Sequence, residues 1–309
     1  MTTSTPDGRF RYDTSGHWYK GNIHLHTTRS DGGMTYAQVA ALYAAAGFDF
    51  LAAADHWVAS DMAQEPDAAN LLWLDGIELD GHDRTGALYH VVCLGRLEGI
   101  TRDMGFEAAL SAALDQAALT ILAHPQWTGN SFDDALRWPF DGVEIYNHVC
   151  HWLNGKGEGA AYWNAMLSRR PHTLAFAVDD AHLRPEHPGW NGGWIVVNAA
   201  GRTTTQIVAA IRRGNFYASC GPQFHTIHCD GAFVEVETSP VQFIRLVGPA
   251  YRGQRQGSFD GRQLTGARFP LPADWDYVYL DIEDANGRRA WTNTLFLKEA
   301  AHSRADGIE

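Results

Sequence analysis

The stretch GNIHLHTTRSDGG, residues 21–33, carries two histidines two positions apart in a short apolar run, followed by an aspartate in a glycine-rich turn. Residues two apart on a β-strand share one face, so His24 and His26 should point the same way. The letters SDGG are typical of a turn. Two imidazoles on one face at the end of a strand are either a coincidence or half of a metal site.

The composition is that of an ordinary globular chain with an acidic balance. Of its 309 residues, 45% are hydrophobic and 19% charged, and the formal net charge is −12 without any Lys/Arg-rich run. This charge disfavours binding to long duplex nucleic acid or to an anionic membrane, because neither polyanion is attracted to an acidic surface. A small anionic substrate stays open, since bound cations can reverse the local field.

The N-terminal stretch, the hydropathy and the cysteine usage do not indicate export or membrane insertion. The start MTTSTPDGRF is polar and does not resemble a signal peptide, and no apolar run approaches the length of a membrane span. The four cysteines show no C-x-x-C spacing, so a disulfide framework is not expected in a chain of this size. We therefore expect a cytoplasmic protein that acts on a small molecule; a homo-oligomer is left open.

Helical and strand patterns alternate over the first two thirds of the chain. Capping boxes at Thr35/Gln38 and Thr203/Gln206 predict two helix starts. Repeated alternation predicts a mainly parallel sheet, open or closed into a barrel. The helices are expected over about 35–47, 105–117, 132–137, 160–167 and 203–213.

Beyond about residue 221 the pattern changes to strand-like alternation with a hairpin turn at DANG. We predict a barrel domain over 1–222, a small β-sandwich-like appendage over 223–300 and a tail over 301–309.

Metal-type side chains gather at the carboxyl ends of the predicted strands. Those ends lie together on one face of a parallel α/β sheet or barrel, where active sites form. Each motif alone is weak, but chance does not readily place all of them in order at successive strand ends. They are His24, His26, Asp31, His56, Glu78, His90, His124, Asp180 and His182.

This ordered set, H-x-H-x₄-D, D-H, G-x-E, a strand histidine, H-P and D-x-H, resembles the PHP (polymerase and histidinol phosphatase) superfamily. The resemblance implies an α/β fold, a distorted (β/α)₇ barrel, here with a C-terminal all-β appendage. A finer resemblance, in GNIHLHTTRSDG, GVEIYN, DDAH…GGWIVV, GNFYASCGP and the late AWTN, is to the carbaryl-hydrolase-like branch. That branch includes both named phosphoesterases and carbamate hydrolases.

The PHP resemblance implies a trinuclear centre of divalent transition metals, Mn²⁺, Zn²⁺ or Fe²⁺. His24, His26, Glu78 and Asp180 would hold one ion; Glu78 would bridge to a second held by His90 and His124; Asp31, His56 and His182 would hold the third. A hydroxide bridging two ions would be the nucleophile. We assign catalytic roles to Glu78, His124, Asp180 and His182. His82 is a weaker alternative to His90.

The sequence allows either a functional or a purely structural role for several other polar side chains. The substrate-binding candidates are Arg29, Glu144, Asn147 and Arg184; the alternatives are surface arginines and ordinary polar packing. Asp55 either orients a ligating imidazole or caps local backbone, and Asp179 is equally ambiguous.

The sequence thus favours a metal-dependent phosphoesterase acting on a small phosphorylated metabolite or nucleotide. A carbamate, ester or amide hydrolase with the same metals is the runner-up. A non-catalytic PHP scaffold ranks third, because such a module would be expected to have lost ligands.

Overall fold

The structure is a computed structural model, and it describes residues 12–64 and 69–297. The α-helices are α1 (Tyr36–Ala45), α2 (Phe106–Gln116), α3 (Pro125–Thr128), α4 (Phe132–Arg137), α5 (His148–Asn154), α6 (Ala160–Leu167) and α7 (Thr204–Arg212). The strands are β1 (His17–Asn22), β2 (Phe50–Ala52), β3 (Leu72–Leu74), β4 (Gly76–His82), β5 (Leu88–Leu94), β6 (Leu119–Leu122), β7 (Gly142–Asn147), β8 (Leu174–Val178), β9 (Trp194–Ala199), β10 (Phe216–Ser219), β11 (Phe224–Cys229), β12 (Phe233–Val241), β13 (Phe243–Val247), β14 (Gly253–Gly257), β15 (Leu264–Pro270), β16 (Tyr277–Glu283), β17 (Arg289–Thr292) and β18 (Phe296–Leu297).

The helices begin where local sequence chemistry predicts. The Thr35 hydroxyl accepts from the Gln38 amide while the Gln38 side chain accepts from the Thr35 amide, which completes the capping box of α1. The Thr203 hydroxyl caps α7 by accepting from the Gln206 amide, without the reciprocal bond to the Thr203 amide that completes the box of α1. The predicted helices over 105–117, 132–137 and 160–167 are confirmed as α2, α4 and α6.

The strands form three sheets. The largest has ten strands and runs β14-β13-β16-β17-β10-β9-β1-β2-β3, with β18 pairing β16. The second is five-stranded, β4-β5-β6-β7-β8, and the third is β11-β12-β15. Ile23 and Phe50 of the ten-stranded side share one buried cluster with Val92 and Phe176 of the five-stranded side. The protein is a mixed α/β fold whose core lies between its two large sheets.

Within the described residues the strands form separate sheets and not the regular closed ring of a barrel, so of the predicted distorted (β/α)₇ barrel the structure shows the mixed α/β character. Two features interrupt such a ring. Strands β4 and β5 are joined directly as an antiparallel hairpin, without an intervening helix. Strand β9 then pairs antiparallel with β1, and the sheet extends through β10 to the C-terminal strands instead of closing. Isolated parallel bridges, Leu25 to Ala181 and His56 to Glu78, link the two large sheets at one end.

The C-terminal strands are continuous with the rest of the fold. Strand β17 pairs with β10, so the ten-stranded sheet crosses the predicted boundary at residues 222/223. Val236 of the three-stranded sheet and Leu280 of the ten-stranded sheet share a buried cluster, as in a sandwich. The domain boundaries stay a prediction, and the predicted tail over 301–309 lies outside the described residues. No helix in the described ranges combines the length and apolar character needed to cross a membrane.

Candidate metal centre

All nine predicted ligands lie at one end of the two large sheets. Most directly follow a parallel strand: His24 and His26 come after β1, His56 after β2, His124 after β6, and Asp180 and His182 after β8, while Glu78 and His90 lie within β4 and β5. Their ligand atoms form four overlapping groups in which all atoms lie within 4.8 Å of one another. The groups are His26/Asp31/His56/His182, His24/His26/Glu78, His24/His124/Asp180 and His56/Glu78/His90.

The H-x-H pair has the shared face that the strand spacing predicts. Both rings are fully buried, and their Nε2 atoms lie only 3.3 Å apart. Each Nε2 also faces Glu78 Oε2, at 3.2 and 3.3 Å, and Asp180 Oδ1, at 3.2 and 3.1 Å. Two imidazole nitrogens and two carboxylates thus converge on one point.

Glu78 lies at the middle of the cluster. Its Oε1 is 2.9 Å from His90 Nδ1 and 3.5 Å from His124 Nε2, and its Oε2 is 3.3 Å from His56 Nδ1. Burial would raise the pKa of Glu78, but the surrounding histidines, His24 foremost, outweigh it and hold that pKa well below its usual range. The carboxylate is therefore ionised and available to cations on both of its oxygens.

A third group forms around the SDGG turn. His182 Nε2 is 3.3 Å from Asp31 Oδ2, and His26 Nδ1 is 3.7 Å from Asp31 Oδ1. The Gly33 amide donates to the His182 carbonyl at 2.7 Å, and a Cβ on Gly33 would lie 2.5 Å from the Leu183 carbonyl oxygen. Glycine is needed there because this close backbone approach is what brings Asp31 to His182.

The groups differ in one respect from the predicted assignment. His124 is grouped with His24 and Asp180, and His90 with His56 and Glu78, whereas the prediction paired His90 with His124. The His90 and His124 rings are nevertheless adjacent, with centroids 4.9 Å apart. His82, the alternative to His90, is exposed.

Several buried polar atoms in this cluster have no hydrogen-bond partner among the described residues. They are His26 Nδ1, His56 Nδ1, His124 Nδ1 and Glu78 Oε2. An unpaired buried polar group is costly, and a site built only of imidazole and carboxylate suits Zn²⁺, Mn²⁺ or Fe²⁺. His124 and Asp180 also have positive φ angles, 26° and 56°, which are strained for residues other than glycine. The residues present fit divalent metal ions.

Glu144 and Asn147, predicted as substrate contacts, lie behind the predicted metal ligands. Glu144 Oε1 is 2.6 Å from His24 Nδ1, and Asn147 Nδ2 donates to Glu144 Oε2 and to Asp180 Oδ2 at 2.9 and 3.2 Å. Both side chains are buried and neither lines the cavity over the cluster.

Asp55 and Asp179 cap backbone. Asp55 accepts from the amides of Thr27 and Ser30, at 2.8 and 3.2 Å. Asp179 accepts from the amides of residues 191–193 at 2.8–2.9 Å and from the Tyr43 hydroxyl at 2.7 Å. Of the two readings the sequence left open, local capping is the one observed.

A cavity of about 230 Å³ opens over the cluster. Beyond the ligand side chains, its walls are formed by Trp127, Val149, Cys150, Leu153, Arg184 and His187. Arg184, a predicted substrate contact, lies here with Nη1 3.9 Å from Asp31 Oδ2. Arg29, the other candidate arginine, is exposed, lies over the Tyr36 ring and is not part of the cavity wall.

Sequence reasoning missed Asp80 and His187. Asp80 Oδ1 lies 3.1 Å from His56 Nδ1. Burial lowers the pKa of His56, but Glu78 and Asp80 outweigh it and raise that pKa to about 9. The sequence did contain a signal for Asp80, because Asp80 is two residues after Glu78 and so lies on the same face of the strand. No sequence pattern pointed to His187, because it lies over the cavity only through the backbone bridge between Arg184 and His187.

Comparison with known proteins supports the fold. No family model matches the sequence, and no curated protein matches it. Among solved structures, a two-domain protein from Bacteroides vulgatus, described as containing a predicted PHP-like metal-dependent phosphoesterase, aligns over 95% of this chain and 100% of its own. The identity is 14% and the TM-score 0.53. These two proteins share a fold.

Two further structures match over about half of the chain. A protein from Bifidobacterium adolescentis, described as a putative metal-dependent phosphoesterase, has 16% identity and a TM-score of 0.38, covering 53% of this chain and 89% of its own. An amidohydrolase from Chromobacterium violaceum, with bound sulfate and no metal, has 19% identity and a TM-score of 0.24, covering 55% and 57%. Both TM-scores are too low to support an inference about the fold or function of this protein.

Proposed function

We propose that this protein is a metal-dependent hydrolase of the PHP type and that it cleaves phosphoesters of small molecules. The observation that carries the proposal is the convergence of nine His, Asp and Glu side chains on one cavity. The description of the Bacteroides vulgatus protein, which shares the fold, agrees with it.

The ions would be held as the sequence resemblance implies, with Glu78 shared between two of them. His24, His26 and Asp180 complete one site, His90 and His124 the second, and Asp31, His56 and His182 the third. Divalent ions bound there would supply positive charge that polarises the scissile group and lowers the pKa of an attacking water.

The protein's own side chains bind and orient the substrate. Arg184 lies on the cavity wall at the Asp31 end, where its guanidinium can hold an anionic substrate oxygen. Trp127 packs edge-on against His90 and His124, with centroids 5.8 and 5.2 Å away, and fixes these rings. With Val149 and Leu153, it gives the cavity an apolar side that suits the organic part of an ester.

The second candidate function is hydrolysis of a carbamate, ester or amide, in keeping with the carbaryl-hydrolase-like resemblance. Two observations favour it. The cavity wall is largely apolar, and Arg184 is the only arginine on it within the described residues. A phosphomonoesterase would gain from more than one such cation.

A substrate panel tests the choice. The protein is loaded with Mn²⁺ or Zn²⁺ and offered phosphomonoesters, cyclic and linear phosphodiesters, and aryl carbamates. We expect phosphoester cleavage without carbamate turnover; the reverse result would replace the first function by the second.

A variant tests the site. His124→Ala should abolish turnover, while His228→Ala, at an exposed histidine of β11, should not.

Metal analysis separates both enzymes from a scaffold. A scaffold would purify with little stoichiometric metal, and its interactions would survive chelation.

Retained activity in His124→Ala would show that His124 does not take part in the reaction.

A further inference from the structure

Glu144 is a fully enclosed carboxylate on β7, with 1% of its surface exposed. We propose that Glu144 is a positioning residue of the metal centre, in which one carboxylate fixes three metal ligands that come from three other strands. The inference rests on the proposed function, since it concerns the same centre. The three ligands are His24, His124 and Asp180.

The first contact fixes the His24 ring. Glu144 Oε1 lies 2.6 Å from His24 Nδ1. With His24 Nδ1 as the donor to this carboxylate oxygen, the neutral tautomer of His24 has its Nε2 lone pair free. That Nε2 is the atom that faces Glu78 and Asp180, at 3.2 Å from each. Carboxylate partners of this kind orient metal-binding histidines and raise their basicity.

The second contact fixes the backbone of His124. Glu144 Oε2 accepts from the His124 amide at 2.8 Å. His124 has the strained φ of 26° and is followed by Pro125, the first residue of α3. Without an acceptor for its amide this conformation would lose its local support, and the ring would move away from Glu78 Oε1, which is 3.5 Å from its Nε2.

The third contact passes through Asn147. Its amide nitrogen donates to Glu144 Oε2 at 2.9 Å and to Asp180 Oδ2 at 3.2 Å. Its Oδ1 accepts from the Cys150 amide at 2.9 Å and so caps α5, which settles which way the side-chain amide points. One donor group therefore ties the Glu144 and Asp180 carboxylates together.

The test compares metal affinity with the stability of the metal-free protein. Glu144→Gln keeps the shape of the side chain but replaces one acceptor oxygen by a donor. Asn147→Ser keeps the helix cap and removes the link to Asp180. Asp281→Asn is the matched control, because it removes a buried carboxylate on β16 that pairs with Arg245 and Arg289 and lies outside the cavity wall.

Affinity for Zn²⁺ is measured by chelator competition, and the ligand field by the visible spectrum of the Co²⁺-loaded protein. We expect Glu144→Gln to weaken Zn²⁺ binding by about 10- to 100-fold and to change the Co²⁺ spectrum. Asn147→Ser should do both to a smaller extent, so the inference stays testable should Glu144→Gln fold poorly. Asp281→Asn should lower stability without changing either metal readout.

Two outcomes would overturn the inference. If wild-type protein binds metal and both site variants match its affinity and spectrum, Glu144 serves packing alone and the proposed function stands. If the wild-type protein itself binds neither ion, the proposed function fails and the role of Glu144 fails with it.

Discussion

Asp55 directly precedes a predicted metal ligand, His56, yet its carboxylate serves the loop of residues 27–30. It accepts from both the amide and the hydroxyl of Thr27 at 2.8 Å, and from the Ser30 hydroxyl at 2.7 Å. The Tyr36 hydroxyl adds a further contact at 3.2 Å. The loop is therefore held in the shape that presents Asp31 to the candidate metal centre.

Asp55→Asn should destabilise the protein. The amide nitrogen of asparagine cannot accept, so it would replace an oxygen that accepts from at least two groups, and the loss of these hydrogen bonds costs about 1–3 kcal/mol. The free energy of unfolding in urea, measured without metal, should fall by about that amount. Asp103→Asn, at an exposed aspartate outside any such network, is the control. Equal unfolding midpoints for Asp55→Asn and wild type would contradict this account.

The hairpin of β4 and β5 carries Glu78 and His90, and its turn is anchored by Asp83. The Asp83 carboxylate accepts from the Thr85 amide at 2.8 Å, from the Ala87 amide at 3.1 Å and from Arg137 of α4 at 2.6 Å. Burial would raise the pKa of Asp83, but the hydrogen bonds from Thr85 and Arg137 outweigh it and lower that pKa to about 2. The turn thus fastens a ligand-bearing hairpin to a helix.

This lowered pKa predicts a pH dependence. An unfolded aspartate has a pKa of about 3.9, so the stabilising effect of Asp83 is complete above about pH 5 and is lost as the pH falls toward 2. Asp83→Asn should be less stable than wild type at pH 7, and the difference should shrink through that acid range. Urea unfolding at several pH values measures it, and a difference that stays constant between pH 7 and 2 would refute it.

The starts of the helices could be predicted from the sequence, but the pairing of the strands in the sheets could not. Thr35 with Gln38, and Thr203 with Gln206, mark helix starts because capping depends on residues a few positions apart. The pairing of β9 with β1 joins Trp18 to Asn198, and no local pattern encodes a partner so distant in sequence. The hairpin of β4 and β5 also looks like two ordinary strands until their pairing is seen.

The candidate metal centre places carboxylates in the interior of the molecule. Glu78 and Asp180 are buried among His24, His26 and His124. The clustering of the nine predicted ligands was predictable because most of them follow a strand, and the carboxyl ends of parallel strands meet on one side of the sheet. The supporting contacts were not, since the role of Glu144 depends on which neighbours lie beside β7 in space.

Metal loading should raise the melting temperature. Ions that bind only the folded chain at 100 times their Kd add about 2.7 kcal/mol of stability per site. At about 2.1 cal/mol/K per residue, unfolding of 309 residues has an entropy of about 0.65 kcal/mol/K, so each filled site raises Tm by about 4 °C. Thermal unfolding with Mn²⁺, Zn²⁺ or a chelator measures this. A Tm that metal does not change would contradict a metal centre.

The hydrogen-bonded contact between His26 and Asp180 spans 154 residues of sequence. Ribosomes add about 5–20 residues per second, so roughly 8–30 s pass between synthesis of the first histidines and synthesis of the aspartate they meet. Throughout that interval the groups that include Asp180 or His182 are incomplete. Any ion held by these two residues would therefore be acquired late in translation or after release, when the amino-terminal and central parts of the polypeptide have come together.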